Sequence, residues 1–194
     1  YAQLNGIQPA PAGLGVQGDF LIRSYGNWFK NKDLLQYDDG TACWLTNAGT
    51  YRGTWFDVED FLPGMNFWYA DYSEFWFYHS AGYPWDTSQF YAELWNGEAN
   101  PDEFINRQTI TAFHFAPCFA YYYPHILLEA DFWIIVNTEL SESGCPSLLC
   151  DEYGNITGEP HSFFSYDFSL WEPWTTSSVD LSRASWGSIK GLFR

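Results

Sequence analysis

The sequence of 194 residues predicts an all-β fold, an antiparallel β-sandwich of the jelly-roll kind with an extended N-terminal arm. Three observations lead there. Stretches of period-two alternation recur along the chain, bounded by Gly, Pro, Asn and Asp. Helical periodicity is nearly absent, so nothing supplies the crossovers that parallel strands need. Aromatic residues make up 22% of the chain, and such side chains suit a pleated, half-buried surface.

Taken in order, residues 1–18 set Pro9, Pro11, Gly13, Gly15 and Gly18 among small residues without periodicity, the pattern of an extended arm. One sandwich domain follows over 19–194. It opens with a strand pattern from Asp19 to Tyr25, closed by Gly26-Asn27. Tyr51 to Val58 places Thr54, Phe56 and Val58 on one face. Asn66–Tyr72 and Glu74–His79 are aromatic-rich runs of strand length. Ser88–Trp95 alternates with Phe90, Ala92 and Leu94 on one side. Ala130–Asn137 turns Phe132, Ile134 and Val136 inward, leaving Trp133 and Ile135 for a second layer. Only Pro101–Asn106, with Pro at its start and acids in the first turn, reads as a helical turn.

The charge excludes some partners. With 8 Lys plus Arg against 24 Asp plus Glu the formal charge is −16, the wrong sign for nucleic-acid phosphates or an anionic bilayer surface. Apolar runs such as Phe132–Val136 are far shorter than the roughly 20 residues of a membrane helix. The sequence opens at Tyr1 without an initiator Met, as a chain does after signal removal, so a secreted, extracellular setting is expected. The even number of cysteines, Cys43, Cys118, Cys145 and Cys150, agrees and predicts two disulfides. Three connectivities are open, among them a local Cys145–Cys150 closure with Cys43 paired to Cys118.

Catalytic signals are missing. His79, His114, His125 and His161 form no helical metal pair, and no HExxH, GxSxG or catalytic-Cys pattern occurs, so no enzyme is expected. Carboxylates are numerous enough for a hydrolytic pair, but spacing alone places none across a cleft. The clusters Asp38-Asp39, Asp57-Glu59-Asp60 and Asp71-Glu74 offer oxygen ligands of the kind calcium takes, without any calcium-loop pattern. They read as solvated turn acids, and no cofactor or metal is expected. The sequon Asn155-Ile156-Thr157 falls in a loop-like stretch. Trp68, Trp76, Trp85 and Trp95 could together supply an aromatic platform for a polysaccharide.

Several segments, in order, resemble secreted bacterial β-sandwich modules found in extracellular and envelope proteins with carboxy-terminal sorting domains. They are Tyr37-Asp38-Asp39-Gly40-Thr41-Ala42-Cys43-Trp44, Tyr51 to Phe61, and His79-Ser80-Ala81-Gly82-Tyr83-Pro84-Trp85-Asp86. Asp131–Val136, Pro146-Ser147-Leu148-Leu149, His161-Ser162-Phe163-Phe164 and Trp171-Glu172-Pro173-Trp174 complete the series. The resemblance implies a non-catalytic module. It also exposes a displacement: in those modules a Gly-Asp-Phe-Leu-Ile-Arg strand ends the domain, whereas here Gly18-Asp19-Phe20-Leu21-Ile22-Arg23 stands at the front. Residues 186–194, Trp-Gly-Ser-Ile-Lys-Gly-Leu-Phe-Arg, are a degenerate echo of it.

The displaced strand has two expected placements. It folds back into its own sandwich, or residues 19–26, with Asp19, Phe20, Leu21, Ile22 and Arg23, complete a neighbour's sheet. More aromatic surface than one interior can hold favours the second, and with it a homopolymer assembled head to tail. The expected function is a structural subunit of an extracellular filament or surface assembly. A carbohydrate-binding or adhesive module is the competing reading.

Overall fold

A computed structural model describes residues 19–28, 31–38, 44–46, 50–79, 84–151 and 160–174. The expected arm at 1–18, Cys43, the sequon and the 186–194 echo lie outside these residues. Two antiparallel sheets form a β-sandwich, and no α-helix occurs among the described residues. The strands are β1 (Ile22–Trp28), β2 (Asn31–Leu35), β3 (Trp44–Thr46), β4 (Tyr51–Asp57), β5 (Phe67–Tyr78) and β6 (Gln89–Asn96). They continue as β7 (Glu103–Thr111), β8 (Pro117–Glu129), β9 (Asp131–Asn137), β10 (Ser147–Cys150), β11 (Ser162–Ser165) and β12 (Glu172–Pro173).

The strands β3 to β10 trace a jelly roll. One sheet runs β3-β10-β5-β8, the other β4-β9-β6-β7, and the chain passes repeatedly between them. β11 and β12 extend the second sheet beyond β4, and β1 and β2 extend the first beside β5. Alternation assigns the faces as the sequence predicts. Thr54, Phe56, Phe90, Ala92, Leu94, Phe132, Ile134 and Val136 are buried between the sheets, meeting Phe75, Phe77, Ala120 and Leu128 from the opposite layer. Each large apolar side chain buried there contributes about 1.5–3 kcal/mol of transfer free energy.

Asp19–Arg23 takes the first of its two placements: it completes the chain's own sheet. β5 pairs with β8 along one edge; its other edge is shared by β1, on Ala70 to Phe75, and the short β10, on Phe77 and Tyr78. Where β1 and β10 meet they bond to each other, Leu21 N to Leu149 O and Asp151 N to Asp19 O, both at 2.9 Å. Phe20, Leu21 and Ile22 are buried by this joint.

Two expectations are corrected. Pro101–Asn106 is not a helical turn, because β7 begins at Glu103 and pairs with β6 throughout, and its β-branched Ile105, Thr109, Ile110 and Thr111 suit that strand. The two expected disulfides are also absent among the described residues, in every connectivity: Cys118, Cys145 and Cys150 are all buried thiols. β10 runs extended from Ser147 to Cys150, so no turn within it folds the second cysteine back towards the first. Cys118 Sγ donates instead to Phe75 O at 3.5 Å, and burial pushes its thiol up to about 12. The two aromatic runs expected at 66–72 and 74–79 are one strand, β5, continued through a register shift between Ala70 and Tyr72.

β1 approaches β5 closely enough to need glycine at position 26, where a Cβ would lie 2.1 Å from Tyr69 O and 2.5 Å from the Trp68 ring. Gly26→Ala should destabilise the fold by about 1–3 kcal/mol, read as a lowered urea midpoint at unchanged slope. An unchanged midpoint would show that β1 is not held as described.

Candidate functional site

The four tryptophans expected to form a platform lie in different places. Trp68 is in the core, its Nε1 donating to Ser24 Oγ at 2.9 Å. Trp76 is on the outer face of the first sheet, Trp85 at one end of the sandwich beside His79, and Trp95 on the outer face of the second sheet. The cause is register, since β5 turns Trp68 and Trp76 to opposite sides through its irregularity at Ala70/Tyr72.

What the strands do align is a different aromatic set. Leu34 of β2, Tyr25 of β1, Tyr72 of β5 and Tyr121 of β8 are register partners, one row crossing four strands on the outside of the first sheet. Tyr25 and Tyr72 stack at 4.4 Å and 13°, and Tyr72 contacts Phe119 and Tyr121 at 5.7 and 5.5 Å. Tyr121 is 64% exposed; Tyr123, in the bulge where Tyr122–His125 stand against Asp71, is 97% exposed. Tyr69 and Leu127, directly paired, extend the exposed apolar surface. His125 Nδ1 contacts Asp71 Oδ1 at the same bulge.

The next row along is polar and fully engaged. Arg23 holds Asp38 through Nη2 at 2.7 Å and Nε at 3.1 Å, and Glu74 through Nη1 at 2.9 Å. Glu74 also accepts from Tyr25 OH at 2.9 Å and Trp76 Nε1 at 2.6 Å. Burial first, then the bond to Glu74, push the Tyr25 phenol up to about 12. Arg23 therefore anchors β1 to β5 and to the segment carrying Asp38, and the acids Asp38 and Glu74 are structural. Among the described residues no cluster of three or more His, Cys, Asp or Glu side chains is placed to hold a metal ion, and no helix is long and apolar enough to cross a membrane.

The outer face of the second sheet is aromatic too, but covered. Trp95, Trp133 and Trp55 form a row across β6, β9 and β4. Phe168 and Trp171, from the segment after β11, lie over it. Beside that row Glu93, buried, accepts from Asn137 Nδ2 at 2.7 Å and Trp95 Nε1 at 2.8 Å and pairs with Arg107 at 2.8 Å. Phe104, packed on Trp95 at 5.1 Å, and Leu170 remain exposed at the margin.

Comparison with known proteins leaves this geometry to speak for itself: no family model, no curated protein and no solved structure matches the chain.

Sequence reasoning pointed to Asp19 as part of a donated strand and did not find its electrostatic role. Asp19 N donates to Asp151 Oδ1 at 2.8 Å, and Ser162 Oγ donates to Asp19 Oδ1 at 3.1 Å while accepting from Phe20 N at 2.8 Å. Asp19 Oδ2 is buried with no hydrogen-bond partner. Burial, and then the Asp151 carboxylate, push the Asp19 carboxyl from 3.8 up to about 8. Between those values the folded carboxyl keeps a proton that the unfolded one has released. Unfolding then releases a proton, and stability falls as pH rises towards about 8, by at most about 1.4 kcal/mol per unit. The melting temperature should thus be higher at about pH 5 than at about pH 9, and Asp19→Asn should flatten the difference. Equal or greater stability of the wild type at the higher pH would refute the assignment.

Proposed function

We propose that this protein is a non-catalytic structural subunit that assembles with copies of itself through the two outer faces of its sandwich. The observation supporting this is the outer row Leu34–Tyr25–Tyr72–Tyr121, half-buried at Tyr25 and Tyr72 and exposed at both ends, with exposed Tyr123, Tyr69 and Leu127 around it. Contiguous apolar patches of this kind mark interaction sites, and Tyr is enriched at interface hot spots. The ring geometry favours a protein partner over a sugar on this face. A sugar platform needs rings lying flat and open, whereas Tyr25 and Tyr72 cover each other's faces and present their edges.

A face that packs only on itself closes a dimer, while an open filament needs two different surfaces. The second sheet supplies the other one, at Phe104 and Leu170. Tyr face on Phe/Leu margin, repeated head to tail, does not close. Asp19–Arg23 serves its own sheet in a single copy, and an exchange between copies would swap identical contacts without adding any. The aromatic faces therefore carry the proposal.

The test uses two variants of the full chain, Tyr121→Ser/Tyr123→Ser and Phe104→Ser/Leu170→Ser, with all four positions exposed so that folding is preserved. In sedimentation velocity each variant alone should be monomeric where the wild type forms larger species. Their equimolar mixture should stop at a one-to-one dimer, each partner offering its intact face. A wild type that sediments as a monomer at every concentration, or a mixture that stays monomeric, would overturn the proposal.

A further inference from the structure

We propose that the open cleft at one end of the sandwich, between Trp85 and Phe113, binds a neutral saccharide. It is separate from both assembly faces. The cleft, about 620 Å³, lies between His79 at the end of β5, the segment leading into β6, and Thr111–His114 leaving β7. That volume falls within the roughly 300–1,000 Å³ of small-ligand sites.

The chemistry of its lining selects the ligand class. Trp85 packs on the His79 ring at 4.8 Å and edge-on to Phe77 at 6.4 Å, which fix it while leaving it part exposed. Phe113 is 55% exposed on a short turn, an apolar ring with little cover of its own. Two partly open rings flanking a cleft offer the C–H faces of a pyranose a stacking surface.

The polar groups between them are uncharged. Gln89 and Thr111 are register partners at the sheet edge, and among the described residues neither side chain is engaged in a bond that would occupy it against a ligand. His114 Nδ1 accepts from His79 N at 2.9 Å, which leaves Nε2 as the donor of a neutral imidazole. Among the described lining residues the one carboxylate is already used. Asp86 accepts from Ser141 Oγ at 2.6 Å, Glu142 N at 2.8 Å, Ser143 N at 3.2 Å and Thr87 N at 2.8 Å. Those bonds, Ser141's first, hold its carboxyl below the usual range. Among the described residues no Lys or Arg lines the cleft, and the chain carries a formal charge of −16, so a phosphate, sulfate or uronate would find no counter-charge among them. Hydroxyl, amide and imidazole groups between aromatic rings fit a ligand that is polar, uncharged and rich in hydroxyls.

The experiment titrates the full chain with neutral hexasaccharides from cellulose, starch, xylan and mannan, with oligogalacturonate as the anionic control, by calorimetry and tryptophan fluorescence. At least one neutral probe should bind and oligogalacturonate should not. Trp85→Ala should weaken that binding about tenfold, the scale of one aromatic contact. Phe113→Ser, at an exposed position that the core does not use, should weaken it without changing the melting temperature. Binding should survive in Tyr121→Ser/Tyr123→Ser, so the outcome is independent of assembly. If no neutral probe binds, if only oligogalacturonate binds, or if both cleft variants bind like the wild type, the inference is wrong.

Discussion

The structure turns on how one long strand has its edges satisfied. β5 is twelve residues long, and β10, only four residues, covers just two of its positions. An edge left open over the remainder would expose unpaired backbone groups and the apolar side chains beneath them. β1 removes that liability by pairing with Ala70 to Phe75, and its N-terminal lead crosses to β10 through Leu21 and Asp19. The joint is sealed from the other sheet by Ser162, which bonds both Asp19 and Phe20. Two carboxylates, Asp19 and Asp151, are buried there, so the place where two short strands are spliced is also where proton uptake and folding are coupled.

The aromatic load is divided into three layers of different character. The interior holds stacked and edge-on phenyl rings, such as Phe56 on Phe132 at 5.2 Å and Phe77 on Phe90 at 4.8 Å. Outside the second sheet, Trp133 and Ile135 are buried by Trp171 and Phe168, the latter with φ of 69°, a conformation that a bulky residue adopts only when its surroundings hold it. The remainder, chiefly tyrosine, is left on the first sheet with hydroxyls that tolerate water. Trp133 and Trp171 thus stabilise the second sheet from outside, whereas Tyr69, Tyr121 and Tyr123 are left available to a partner.

Much of this was legible in the residues. The alternation at Tyr51–Val58, Ser88–Trp95 and Ala130–Asn137 set the inward face of the second sheet correctly, and Trp133 with Ile135 signalled a layer beyond the sandwich. β8 was not read, since its Tyr-rich run with Pro124 in a bulge breaks the alternation that identifies strands. β7 was mistaken for a turn because Pro101 and its acids copy a helix start, while the pairing partner that makes it a strand lies elsewhere in the sequence. The tyrosine row could not be seen for a similar reason: Leu34, Tyr25, Tyr72 and Tyr121 share no local pattern and meet only through register. The platform expected from Trp68, Trp76, Trp85 and Trp95 rested on residue type alone, and the irregularity in β5 puts Trp68 and Trp76 on opposite sides of the sheet.

The two ends of the described chain meet at one pole. Phe20 lies against Trp174 with ring centroids 5.4 Å apart, and Ser162 bonds to the backbone on both sides, accepting from Phe20 N at its hydroxyl and from Trp174 N at its carbonyl. The slot beside β5 is therefore indifferent to which terminus delivers its occupant. A polypeptide running on from Trp174 could lay the same Asp-Phe-Leu-Ile-Arg segment into it, and every other pairing would stand.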